Sequence, residues 1–246
     1  MAGKRVRLPK ETYQYLKGKN EANISRIAAG MKGQWNLSKL HRNIISEALL
    51  ESQHHLCAYC ESRIWRPNSK NTRNNFHIEH YMERQDAFEK TYEYSNFLGS
   101  CEGGRFRDHE NEMNVERNIR TDSITCGHAK TQANGYGTPI DYTKLLDPLS
   151  YSYSKYFEYD GVKLIPHKAR LKQAQSRAAY TIDRLNLNAD RLLLARQAIK
   201  NIINKDILKY KQNAAVKRYI TNLLKEQEFY PPFRSFIEFQ FGWIIN

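Results

Sequence analysis

The sequence predicts an α+β fold, mainly helical, arranged around a central module rich in cysteine and histidine. Three observations predict it. Apolar residues recur at helical spacing on both sides of the middle, over 11–53 and again over 169–226. All four cysteines, Cys57, Cys60, Cys101 and Cys126, fall between those stretches. Helical periodicity fades over the same interval, giving way to strand-like pieces and polar loops. The expected divisions are an N-terminal helical segment at 1–53, a central module at 54–135 and a basic, mainly helical region at 136–246.

Bulk properties narrow the function classes. At 246 residues the chain can bury a core without relying on metal or disulfides alone. Mean hydropathy is −0.76, and no run approaches the roughly 18 apolar residues of a membrane span. Met1 to Pro9 is basic, with no apolar stretch behind it, so it does not read as a secretory signal. A cytoplasmic address is expected, where an even number of cysteines argues for metal before disulfides. The net charge of +13 is concentrated: residues 168–225 hold 14 Lys and Arg against three acids, Asp183, Asp190 and Asp206. A field gathered on one segment suits phosphate backbones. A helical surface rich in Lys and Arg, with no partner at all, has the same composition.

Taken in order, residues from Glu11 to about Gln53 read as helix, interrupted near Gly30–Gly33. The best segment is 37–53, where Leu37, Leu40, Ile44, Ile45, Ala48 and Leu49 share one face. Ile64-Trp65 predicts a short strand, Pro67 to Asn75 a loop, Phe76 to Tyr81 a strand, and Glu102 to Thr125 an insertion loop. Asp160-Gly161 marks a hairpin between strands at about 154–159 and 162–166. Helices follow from Ala169 to Glu226, divided at Asn186-Leu-Asn188. The aromatic tail beyond Pro231-Pro232 predicts a final amphipathic helix.

Chemistry concentrates in the module. Cys57-x-x-Cys60 places two thiolates where both reach one zinc ion at about 2.3 Å, and Cys101 with Cys126 completes a tetrahedral set. The alternative for the latter two is a pair of small buried hydrophobes. On the strand Phe76-His77-Ile78-Glu79-His80-Tyr81, consecutive side chains point apart. Glu79 could therefore hold a divalent cation while His80, near its ordinary pKa of about 6.5, takes a proton from water. Asn96 could pin a loop through its amide. In Cys126-Gly-His128-Ala-Lys130, a helix start anchored by Cys126 would turn His128 toward the cation and bring Lys130 to phosphate. Taken singly, the Glu79-His80 pair and Asn96 read as ordinary strand and turn residues. His41, His54, His55, His77 and His167 lie outside the pattern, with His77 read as an exposed strand histidine. Trp35, Trp65 and Trp243 read as core or interface aromatics.

The order Cys57-Ala-Tyr-Cys60, Ile78-Glu79-His80-Tyr81, Asn96-Phe-Leu, Cys101, Cys126-Gly-His128-Ala-Lys130 resembles the HNH (ββα-metal) nucleases. It is closest to the PtuB type of Septu and retron anti-phage systems. A fainter similarity lies in Ile182-Asp-Arg-Leu-Asn-Leu-Asn188. The resemblance implies a zinc-stabilised ββα-metal module with endonuclease activity on nucleic acid, DNA foremost. By residue, it implies His80 as general base and Glu79 with His128 as ligands of a catalytic Mg²⁺ or Mn²⁺. Asn96 is then the residue shaping the ββα loop, and the four cysteines hold structural zinc. It further implies a PtuA-type ATPase partner, for which 169–246 is a candidate docking surface because a ββα module does not need it. The chain departs from the pattern in the long separation of Cys101 from Cys126, which makes His109 an alternative zinc ligand. The rival expectations are a non-catalytic zinc-stabilised nucleic-acid-binding module and a zinc-scaffolded adaptor for another protein.

Overall fold

The amphipathic pattern of 11–53 folds as two helices. In the computed structural model, α1 (Lys10–Ala28) starts after Pro9, and α2 (Lys39–Ser52) is capped by the Ser38 hydroxyl, which accepts from the His41 amide. The structure describes residues 5–66, 75–104, 124–132, 139–150, 153–225 and 227–245. The break between the helices falls at Gly30, whose φ of +73° suits glycine. α2 ends by a different device. His54 and His55 both adopt left-handed backbone, their rings stacked on Tyr230 and Phe229. This turn swings the chain into the Cys57 knuckle.

The hairpin that follows consists of β1 (Phe76–His80) and β2 (Phe97–Cys101), antiparallel, with Phe76 opposite Cys101 and His80 opposite Phe97. The strand predicted over 76–81 is β1; β2 went unpredicted. Its five residues Phe-Leu-Gly-Ser-Cys are all buried, so the alternation that betrays a half-exposed strand is missing. The Gln53 side chain bonds both the amide and the carbonyl of Gly99, like a fragment of a third strand. A Cβ at Gly99 would lie 3.1 Å from Ile64 Cδ1 and 3.2 Å from Gln53 Nε2, which explains the glycine. The short strand expected at Ile64-Trp65 is reduced to an isolated bridge between Leu56 and Arg63.

α3 (Cys126–Gln132) packs on β2. Beyond it, β3 (Phe157–Asp160) and β4 (Lys163–Pro166) form a second hairpin turning at Gly161, with φ +59°. The expected start of that hairpin at 154 is instead a 3-10 turn over Tyr153–Tyr156. The helical remainder is α4 (Lys172–Arg184), α5 (Asp190–Ile207), α6 (Asn213–Leu224) and α7 (Arg234–Phe241). An α+β chain with two small antiparallel sheets results. No helix among the described residues is long and apolar enough to cross a membrane.

The largest hydrophobic cluster ignores the expected divisions. It joins Leu50 of α2, the four cysteines, Phe76, Leu98 and Leu145 to Leu185, Leu187, Leu192, Phe233 and Phe236. Glu61, in the cysteine knuckle, accepts from the Phe233 amide through its backbone, and from the Ser235 amide and hydroxyl at 2.8 and 2.7 Å through its carboxylate. The region 169–246 therefore completes the core of the module and is not a free docking appendage. The basic run is also partly internal. Arg184 and Arg196 are buried, donating to the carbonyls of Lys130 and Leu187, and Arg191 reaches Thr125. Most of the remaining cations of the run, among them Lys168, Lys205, Lys211, Lys217 and Arg218, are exposed, while Arg177 and Lys200 are half-buried.

Candidate functional site

Three segments deliver four thiols to a common point. The knuckle supplies Cys57 and Cys60, the end of β2 supplies Cys101, and the start of α3 supplies Cys126; all four are buried and none is in a disulfide. Their sulfurs lie within 4.8 Å of one another, with Cys60 to Cys101 at 3.7 Å and Cys101 to Cys126 at 3.6 Å. A tetrahedral ion bonded to sulfur at about 2.3 Å requires sulfurs about 3.8 Å apart, so the set fits a structural metal such as zinc. The Cys101 amide points at Cys57 Sγ at 3.3 Å, and the Arg191 guanidinium lies 3.7 Å from Cys101 Sγ, offsetting thiolate charge. Cys126 enters α3 through left-handed backbone, φ +61°, and its amide donates to the Leu185 carbonyl between α4 and α5. His109 lies outside the described residues.

Strand alternation then divides the neighbouring side chains. His77 and Glu79 face α3, whereas Ile78 and His80 face the N-terminal helices. His80 is 6% exposed, its ring edge-on to Trp35 and Phe97, and its Nε2–H donates to the Thr91 carbonyl at 2.9 Å. Burial lowers its pKa to about 4, so the ring is neutral at cellular pH. Asn96 laces the intervening loop: its amide donates to the carbonyls of Met82 and Lys90, and its oxygen accepts from the Met82 amide.

On the α3 face Glu79 does not meet His128. Its carboxylate pairs with Lys130 Nζ at 2.5 Å and with His77 Nε2 at 3.2 Å. Burial pushes Glu79 upward, but Lys130 and His77 outweigh it and hold the carboxyl at about 2. Lys130 is fully buried. It also pairs with Glu83 at 3.0 Å and donates to the carbonyls of His80 and Tyr81, so it is not the phosphate contact expected of it. Gly127 makes this approach possible, because a Cβ there would fall 2.6 Å from the Glu79 carboxyl group.

His128 turns instead to Glu102, with Nε2 to Oε2 at 3.1 Å, and its ring lies 4.3 Å from that of His77. His77 Nδ1 is 3.6 Å from Glu102 Oε1. The metal-capable groups among the described residues are thus the four cysteines and the trio His77, Glu102 and His128, whose donor atoms also lie within 4.8 Å of one another. The expected convergence of His80 and His128 is absent, since period-2 alternation sends them to opposite faces of the hairpin. The same alternation brings in His77, two residues before Glu79 and on its side. Glu102 carried a weaker signal, being the residue after a thiolate ligand. No family model matches the chain, and no curated protein does either.

Proposed function

We propose that the chain is a metal-dependent phosphodiester hydrolase of HNH type acting on nucleic acid, DNA foremost. One observation carries the reading: a cysteine-stapled ββα unit gathers two imidazoles and a carboxylate, His77, His128 and Glu102, into a single partly exposed group in a chain of net charge +13. Their side chains are 24, 16 and 17% exposed, against 0% for the neighbouring Lys130. A bound divalent cation supplies charge neutralisation at a phosphate oxygen and a water of lowered pKa. His77, Glu102 and His128 hold and orient, while the exposed Lys and Arg of 168–225 draw in the polyanion. His80, committed to Thr91 and covered by Trp35, belongs to the scaffold of the loop. The resemblance adds an anti-phage setting and a PtuA-type ATPase partner, which co-purification from a host carrying both would test.

A second reading is favoured by the fate of the Glu79-His80 pair, both members of which are taken up by internal contacts. On that reading the chain is a zinc-stapled nucleic-acid-binding module without catalysis. Incubating plasmid DNA and tRNA with purified protein, with and without Mg²⁺, Mn²⁺ or Co²⁺, separates the two. Strand scission lost in His128→Ala supports the hydrolase. Salt-sensitive binding with no scission under any ion establishes the module. Scission lost in a folded His80→Ala but kept in His128→Ala would move the reactive centre to the opposite face.

A further inference from the structure

The geometry points to a second metal site: we propose that His77 Nδ1, Glu102 and His128 Nε2 bind a first-row divalent transition ion, with Glu79 holding His77 in the ligating tautomer. Four observations build it. First, the separations fit. An ion bonded to nitrogen and oxygen at about 2.0–2.2 Å spaces its donors by about 3.0–3.5 Å. His128 to Glu102 is 3.1 Å, a contact in which the metal-free imidazole donates its Nε2 proton and which an ion would replace, and His77 to Glu102, at 3.6 Å, has only to close slightly.

Second, His77 Nδ1 is buried and has no hydrogen-bond partner. Nε2 faces a Glu79 oxygen, an acceptor, so Nε2 carries a proton, and Nδ1 faces the Glu102 carboxylate, a position that calls for either a second proton or a cation. With the ring neutral, the Nδ1 lone pair would face that carboxylate, an arrangement that repels unless a proton or a metal ion sits between them. Third, the chain Glu79–His77–centre has the form in which a carboxylate fixes a ligating imidazole and raises its basicity. Glu79 is itself immobilised by Lys130. Fourth, the site is assembled by the thiolate cluster. Glu102 follows Cys101 directly, and His128 lies two residues after Cys126. Next to Glu102, Gly103 accepts from the Thr125 amide at 3.1 Å, and a Cβ there would fall 2.3 Å from the Thr125 carbonyl oxygen.

The ligand chemistry selects the ion. Two imidazoles and one carboxylate suit Zn²⁺, Co²⁺, Ni²⁺, Mn²⁺ or Fe²⁺, whereas Mg²⁺ and Ca²⁺ favour all-oxygen sets. Three protein ligands at a partly accessible position leave room for water or a phosphate oxygen. The alternative occupant is a proton, with a doubly protonated His77 bridging Glu79 and Glu102. The use made of the ion rests on the hydrolase reading; its presence does not.

Metal counting decides between ion and proton. The full chain is stripped, then titrated with Co²⁺, and bound metal is measured after desalting. Thiolate-bound cobalt gives intense charge-transfer and visible bands, while a His₂Glu site gives weak ones, so each site reports separately. The wild type is expected to bind two equivalents. His128→Ala and His77→Ala are expected to bind one, with the thiolate spectrum intact as an internal report of folding. Glu79→Gln is expected to retain the thiolate signature and bind the second equivalent about 10–100-fold more weakly. One equivalent in the wild type, or two in His128→Ala, overturns the site. Two equivalents without cleavage of any nucleic acid leaves the site standing and removes the hydrolase. Cleavage by a protein that binds only one equivalent does the reverse.

Discussion

Replacing Lys130 by methionine tests the arrangement beneath the site most directly. Methionine keeps the length and apolar stem of lysine but removes the cation that Glu79 and Glu83 share at 2.5 and 3.0 Å. Deleting one partner of a buried ion pair strands the other and costs about 3–5 kcal/mol. The carboxyl of Glu79 gives a second measure. It is held at about 2 against an ordinary 4.5, which at about 1.4 kcal/mol per pH unit is about 3 kcal/mol, shared between Lys130 and His77. The depressed value means that this stability is present above about pH 4.5 and fades as pH falls toward 2. Urea unfolding of the metal-loaded protein at pH 7 should place Lys130→Met about 3 kcal/mol or more below wild type. The difference should narrow as the acid limb is approached. Adding Glu79→Gln should recover part of the loss, because the stranded charge is then gone, and a double-mutant cycle measures the coupling. A loss under about 1 kcal/mol, accompanied by weakened nucleic-acid binding, would refute the placement. Lys130 would then be the phosphate contact that its position in Cys126-Gly-His128-Ala-Lys130 first suggests.

Other perturbations reach different parts of the molecule. His80 is buried with its pKa lowered to about 4, so it contributes stability that is complete above about pH 6.5 and lost as pH falls toward 4. Equilibrium unfolding of His80→Gln should lack that slope between pH 6.5 and 4, and an unchanged slope would place the titrating group elsewhere. Cys101→Ser should lower bound zinc, measured by a chromogenic chelator after thiol blocking, and should abolish cooperative unfolding; full zinc occupancy in that variant would exclude Cys101 as a ligand. Truncation after residue 168 should yield an aggregating product and no soluble ββα unit, since it strips Leu185, Leu187, Leu192, Phe233 and Phe236 from the core. A monomeric, zinc-loaded fragment with dispersed amide resonances would contradict this. Asn96→Ala should cost about 1–3 kcal/mol in thermal or urea unfolding, because it leaves loop carbonyls and an amide without their partners. A loss of a few tenths would show that water replaces the amide.

The legible parts of the fold are those with periodicity or punctuation. Leu37 to Leu49 announced α2, Gly30 the break before it, Asp160-Gly161 the second hairpin, and Asn186-Leu-Asn188 the turn from α4 to α5. β2 was silent because a strand buried on both faces has no alternation, and because Gly99 and Ser100 dilute its apolar character. The hydrophobic core crosses the divisions at 53 and 135 for a related reason. Residues that share a core across long sequence separations leave no local mark, and the bond between Glu61 and Ser235 is invisible until both are placed.

At the site, sequence order identified which segments meet but not which side chains face one another. Cys57, Cys60, Cys101 and Cys126 could be grouped because four cysteines confined to one module match the number a tetrahedral thiolate site requires. Glu79, His80 and His128 were harder, since adjacency along a strand means opposition in space. Only Glu79 and His77 could share a face with α3, and the glycine at 127 lets Glu79 approach α3 so closely that Lys130 captures it. What remains partly exposed is the trio His77, Glu102 and His128, the last two seated beside Cys101 and Cys126. A mutation in the thiolate cluster should therefore disturb Glu102 and His128 before it disturbs His80, whose position depends on Thr91, Trp35 and Phe97. That asymmetry follows from the chain's own geometry: two of the trio, Glu102 and His128, are within two residues of a cysteine, and the imidazole at position 80 hangs from the opposite side of the same hairpin.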